Sequence, residues 1–85
     1  MGLDLVEFIL RVEETFDRQI PDRDLEQMRT VGEFAHYLHR TAGADSNWSE
    51  EAIFERLKTL LISEYDIPPE QITRDARFID DLGLD

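Results

Sequence analysis

Apolar positions recur with the helical period in three places along this chain, and nowhere do they alternate as a strand requires. Leu5, Ile9, Val12 and Phe16 are spaced four, three and four apart and form one stripe, which predicts a helix over Leu3 to Phe16. Leu3, Val6, Phe8 and Leu10 widen the stripe, as expected of a central helix touching several neighbours. Asp4, Glu7, Arg11 and Glu14 take the opposite face, with Glu7 and Arg11 in the favourable i, i+4 order. Val31, Phe34, Ala35 and Leu38 mark a second helix that runs to about Arg40. Ile53, Leu57, Leu60, Leu61 and Tyr65 mark a third, from Glu50 to Tyr65.

The residues between these stripes supply the punctuation. Pro21 stops propagation after the first helix, and Asp22 is placed to cap a short helix to Met28, with Leu25 and Met28 facing inward. Thr30 and Glu33 fit a capping box. His39 and Arg40 lie where a helix C-terminus favours positive charge. Thr41 to Ser49 is small and polar apart from Trp48 and reads as a linker, with Asn47 or Ser49 as the next cap. Asp66, Pro68 and Pro69 end the third long helix. Glu70 to Asp85 carries few helix signals and reads as a long loop anchored by Ile72, Ala76, Phe78 and Leu82; such loops are usually functional. The expected fold is all-α: a small antiparallel helical bundle of three main helices plus one short helix and a long loop.

Charge narrows the function. Twenty Asp and Glu oppose nine Lys and Arg, for a formal net charge of −11. Such a chain repels phosphate backbones, so no nucleic acid is expected, and basic protein surfaces are the favoured partners. A 41% hydrophobic content suits a folded domain. Without cysteine there is no disulfide and no thiolate metal site. No apolar run reaches membrane-spanning length and no signal segment is seen, so no membrane is expected and a cytoplasmic location is the default. His36 and His39 lie three apart, but no acidic or cysteine partner is near in sequence, and they read as solvated histidines. Asp80, Asp81, Gly83 and Asp85 lack the spacing of a calcium loop. No metal is expected, and no nucleophile–His–acid set suggests an enzyme. The acidic face of the first helix is either a solvated face or a docking face.

The two ends of the chain carry the most specific pattern. The sequence closes on Phe78-Ile79-Asp80-Asp81-Leu82-Gly83-Leu84-Asp85, and Leu3-Asp4-Leu5-Val6-Glu7-Phe8 follows Met1-Gly2 at its start. Joined through one serine, the two stretches resemble the phosphopantetheine attachment site of the acyl carrier protein family. Thr73, Ala76, Phe78, Asp81, Leu82, Gly83 and Asp85 stand as in the long loop of that family's first half. Leu3-Asp4, Glu13-Glu14-Thr15-Phe16, Ile20-Pro21-Asp22 and Thr30-Val31-Gly32 stand as in its second half.

The resemblance implies a single domain over 1–85 whose halves are circularly permuted. Residues 1–41 resemble the C-terminal half, 42–49 form the linker, and 50–85 resemble the N-terminal half. The nine residues Thr41 to Ser49 span up to about 30 Å, more than a bundle width. The implied role is a carrier, not an enzyme, that holds acyl chains as 4′-phosphopantetheine thioesters for fatty acid or polyketide biosynthesis. The attachment position falls between Asp85 and Leu3, flanked also by Asp81, Leu82, Gly83 and Asp4, and Gly2 occupies it. No cofactor is therefore expected on this chain. Gly43-Ala44-Asp45-Ser46 also reads like the motif, but Asn47 follows it, so Ser46 reads as linker or cap, with attachment as the alternative. The resemblance implies an acyl pocket lined by Phe8, Ile9, Leu57, Leu61 and Phe78. It also implies docking of Asp4, Glu7 and Glu14 on basic patches of phosphopantetheinyl transferases, acyl transferases and synthases. A monomer is expected. The alternatives are an acidic interaction or scaffold domain without a prosthetic group, and a tandem-carrier segment closed by a half-swapped dimer.

Overall fold

The computed structural model describes residues 3–41 and 48–84. Four α-helices follow one another: α1 (Leu3–Phe16), α2 (Asp22–Leu25), α3 (Val31–Arg40) and α4 (Glu50–Tyr65), then a 3-10 turn at Pro69–Gln71. Among the described residues there is no strand, only one isolated antiparallel bridge between Thr30 and Arg77. The fold is all-α.

The helix ends show why each segment stops where it does. α1 ends at Asp17, whose φ of 52° turns the chain left-handed, and Arg18 N–H closes on the Glu13 carbonyl at 3.0 Å. The Glu13 carboxylate then accepts from Ile20 N–H at 2.7 Å and holds the loop against its own helix. α4 ends at Asp66 with a φ of 56°, and begins at Ser49, whose hydroxyl accepts from Ala52 N–H at 3.1 Å. α2 is shorter than the sequence pattern suggests. Pro21 holds the cap position and Asp22 is already helical, with no side-chain cap. Gln27 and Met28 bond only three residues back, because Thr30 beyond them is extended and the helix cannot continue.

The start of α3 joins the two halves of the chain. Val31 N–H donates to the Ala76 carbonyl at 3.0 Å and Gly32 N–H to the Arg74 carbonyl at 2.9 Å. Thr30 and Glu33 complete the expected capping box. The donors that a helix start leaves without a partner are thus met, two of them by the segment that reads as a long loop. Phe78 N–H returns a bond to the Arg29 carbonyl at 3.1 Å, so 74–78 runs beside 29–32 as a short two-sided clasp. Arg18 serves the other end of α3, donating to the carbonyls of Leu38 at 2.6 Å and Thr41 at 2.5 Å.

α4 packs against both α1 and α3. Phe8, Val12, Phe34, Leu38, Leu57 and Leu61 are buried together in the core, and Ile72, Ala76, Phe78 and Leu82 anchor the last segment to it, as expected. Trp48 sets its ring against Phe16 at 5.0 Å and ties the start of α4 to the end of α1. The broad apolar face expected of α1 is only half covered. Leu3, Val6 and Leu10 are exposed, because they form a separate stripe on which no described element packs.

Candidate functional site

The start of α1 and the turn Arg77 to Leu84 carry the residues singled out by the sequence. Leu3 is 83% exposed at the first turn and Asp4 is exposed beside it. The Tyr65 hydroxyl donates to the Asp4 carbonyl at 3.2 Å, so the end of α4 reaches the start of α1. Burial, then the carboxylates of Glu7 and Asp4, push the Tyr65 hydroxyl above its ordinary pKa. In the turn, Leu82 and Leu84 are buried, and Leu84 N–H donates to the Phe78 carbonyl at 2.8 Å. Gly83 has a φ of 71°, a conformation that favours glycine.

Asp81 is a turn-forming residue here. Its Oδ2 accepts from Arg77 N–H at 2.8 Å and from Arg77 Nε at 3.2 Å. The Arg77 backbone bond first, then its side chain, lowers the Asp81 pKa, and the same pairing raises that of Arg77. Asp80 adds a second carboxylate to Arg77 at 3.3 Å. The charged residues before Leu82 therefore fix the shape of the turn. Gly2, at the position expected between Asp85 and Leu3 for attachment, Asp85 itself and the alternative Ser46 lie outside the described residues.

A groove of about 660 Å³ opens between this turn, α1 and α2. Leu5, Leu25, Met28, Phe78 and Ile79 give it apolar walls, with Glu26, Arg29, Arg77 and Asp80 among its lining. Of the five residues expected to line an acyl pocket, only Phe78 borders this groove. Phe8, Ile9, Leu57 and Leu61 are buried in the core. The helical stripe does not separate groove wall from core, since both are apolar and inward-facing. The signal for the groove is Leu25, the last residue of the short α2, and Met28 in the turn beyond it, both expected to face inward.

Asp4, Glu7 and Glu14 are all exposed on α1, as expected, but the exposed stripe of Leu3, Val6 and Leu10 on the same helix was not. The face is acidic and apolar together. His36 is also placed differently from the sequence reading. It has an acidic partner fourteen positions away: Nδ1 lies 2.8 Å from Glu50 Oε1, and Arg74 Nη1 donates to the other oxygen of that carboxylate at 3.1 Å. The hydrogen bond to His36 is the main cause of a lowered Glu50 pKa. His39 is exposed, and among the described residues no group of three His, Cys, Asp or Glu could hold a metal ion. No helix of the described residues is long and apolar enough to cross a membrane.

Comparison with known proteins agrees with the stretch that carries this site. Residues 3–38 match the family model described as phosphopantetheine attachment site. The chain is similar to the acyl carrier protein of Bdellovibrio bacteriovorus, 45% identical over 43 residues that cover 51% of this chain and 55% of that protein. The acyl carrier protein of Syntrophobacter fumaroxidans is likewise 45% identical over 43 residues, 51% of this chain and 53% of that protein. That of Lactobacillus acidophilus is 44% identical over 42 residues, 49% of this chain and 52% of that protein. The chain thus spans about half the length of the curated relatives it matches. No solved structure matches.

Proposed function

From the premise that this chain is an acyl carrier protein family member over residues 3–38, we propose that it is a permuted carrier module whose attachment position is empty of chemistry. The family is one of carriers rather than enzymes. In this reading 50–84 act as the first half of the carrier fold, 42–49 as the linker and 3–41 as the second half. Its support is the clasp between 29–32 and 74–78, which lets each half complete the other.

One observation carries the proposal. The family match begins at Leu3, and the residue before it, where the motif places serine, is Gly2. 4′-Phosphopantetheine is held through an ester to a hydroxyl, and glycine has none, so this position does not fit the group. The described residues keep an acidic, partly apolar α1 face and an apolar groove that Leu5 of that helix borders. The proposed partners are basic surfaces of transferases and synthases that act on carriers, engaged through Asp4, Glu7 and Glu14. The proposed setting is a cytoplasmic monomer serving fatty acid or polyketide synthesis. The exposed Leu3, Val6 and Leu10 favour a second reading, a docking module that works without a prosthetic group.

The test is incubation with coenzyme A and a broad-specificity phosphopantetheinyl transferase, followed by intact-mass measurement. The wild-type chain is expected to keep its mass and Gly2→Ser to gain one phosphopantetheine. A gain in the wild type that Ser46→Ala abolishes would move the site to Ser46 and overturn the proposal, as would a Gly2→Ser chain that stays unmodified.

A further inference from the structure

Glu50 opens α4 directly after the linker, and two other parts of the chain hold its carboxylate, one on each oxygen. His36 of α3 places Nδ1 2.8 Å from Oε1, and Arg74 donates from Nη1 to Oε2 at 3.1 Å. Arg74 is fixed in turn by the clasp. Its carbonyl accepts from Gly32 N–H at 2.9 Å, and its guanidinium lies 4.9 Å from the centre of the Phe54 ring. One carboxylate therefore ties the start of α4 to α3 and to the clasp. The cluster borders a cleft of about 420 Å³, with Glu33, Tyr37, Arg40 and Asp75 as its other ionisable lining. Glu33 is committed to the backbone N–H groups of Arg29 and Thr30. Burial, then the bond to Asp24, pushes the Tyr37 hydroxyl up, so it stays neutral. The His36 hydrogen bond holds the Glu50 carboxyl below its ordinary value, so it stays ionised. Histidine is the side chain that changes charge near neutrality, and His36 is 64% exposed at its side chain, so solvent protons reach it without opening the fold.

We propose that this cluster is a proton-operated latch, which fastens the start of α4 to α3 and the clasp when His36 is charged and slackens when it is neutral. A hydrogen bond from a charged donor to a carboxylate is stronger than one from a neutral donor. Protonated His36 and Arg74 hold Glu50 between two cations. With a neutral imidazole, Arg74 alone faces the carboxylates of Glu50, Glu33 and Asp75, since Arg40 lies over the Tyr37 ring at 5.8 Å. The latch is therefore closed on the acid side of the histidine range, about pH 5–8, and open on its alkaline side. It opens again only where Glu50 takes up a proton, below the ordinary carboxyl value of 4.5. None of the three residues belongs to the carrier motif, so the latch stands apart from the carrier reading. What it regulates is the closure of the two halves, because Arg74 belongs to both the latch and the clasp.

Amide exchange on the full chain, corrected for the intrinsic rate, is compared at about pH 5.5 and about pH 8, toward the two ends of the histidine range. The readouts are Gly32 N–H, which donates to the Arg74 carbonyl, and Ile53 N–H, which donates to the Ser49 carbonyl in the first turn of α4. Both are expected to be about two- to fivefold better protected at the lower pH, the scale of an exposed ion pair. His36→Gln keeps an amide donor but cannot gain charge, and Glu50→Gln keeps the shape but loses the carboxylate. In both variants the two pH values are expected to give equal protection. His39 is exposed and does not border the cleft, so His39→Gln removes the other histidine charge without touching the latch, and the pH dependence is expected to persist. Equal protection at the two pH values in the wild type would overturn the proposal. So would a pH dependence that survives His36→Gln, or one that His39→Gln abolishes. The same change at the core amide of Leu57 would mean that the whole fold responds rather than this end, and would overturn it too.

Discussion

Gly32 sits where two backbones touch. A Cβ built there would lie 2.8 Å from the Arg74 carbonyl oxygen and 3.0 Å from the Arg74 Cβ. Gly32→Ala must therefore push the 74–78 segment away or lose the bond that Gly32 donates to it. A loss of about 1–3 kcal/mol is expected in urea unfolding, the range for forced overpacking. Gly83 is the contrasting case: its Cβ would meet nothing within 4 Å, and only its φ of +71° opposes substitution. Gly83→Ala should cost about 1–2 kcal/mol from left-handed strain alone. Asp81 gives the same turn a pH dependence. Its pKa is lowered in the folded chain from an ordinary value of 3.8, so its contribution is fully present above that value and is lost as pH falls through the lower folded one. Amide exchange at Arg77, followed from pH 6 downward, should be protected until this acid window, and Asp81→Asn should remove that pH dependence.

The termini of α3 show what can be read from sequence and what cannot. The capping box is local, with Thr30 and Glu33 three apart, and it forms as the spacing requires. Thr30→Ala is expected to cost about 1 kcal/mol in thermal or urea unfolding. The helices α1, α3 and α4 follow in the same way from 3.6-residue periodicity and their caps. The carbonyls of Arg74 and Ala76 that complete the α3 start, and the Arg18 guanidinium that closes its end, are distant in sequence and leave no periodic trace. For the same reason the His36–Glu50–Arg74 cluster and the coverage of only one α1 face were not legible: both depend on which elements meet. The groove shares this limit. Phe78 was legible as an inward residue, but its place beside the groove arises only when α1, α2 and the turn come together.

A net charge of −11 on a chain of this size repels itself, and Asp4, Glu7 and Glu14 lie exposed together along α1. Sodium chloride or magnesium should therefore raise the melting temperature, and a flat response would count against self-repulsion as a limit on stability. The resemblance to the carrier family was legible because its motif residues are local runs; the closure of the two halves upon each other depends on the whole chain. That closure, within one molecule, is the central claim of the permuted-carrier proposal. An isotope-filtered NOE experiment on an equal mixture of labelled and unlabelled protein tests it most directly. Contacts between 29–31 and 76–78 are expected within uniformly labelled molecules, with no labelled-to-unlabelled cross-peaks at those positions. Strong cross-peaks between labelled and unlabelled chains there would mean that the halves are exchanged between molecules, and would contradict it.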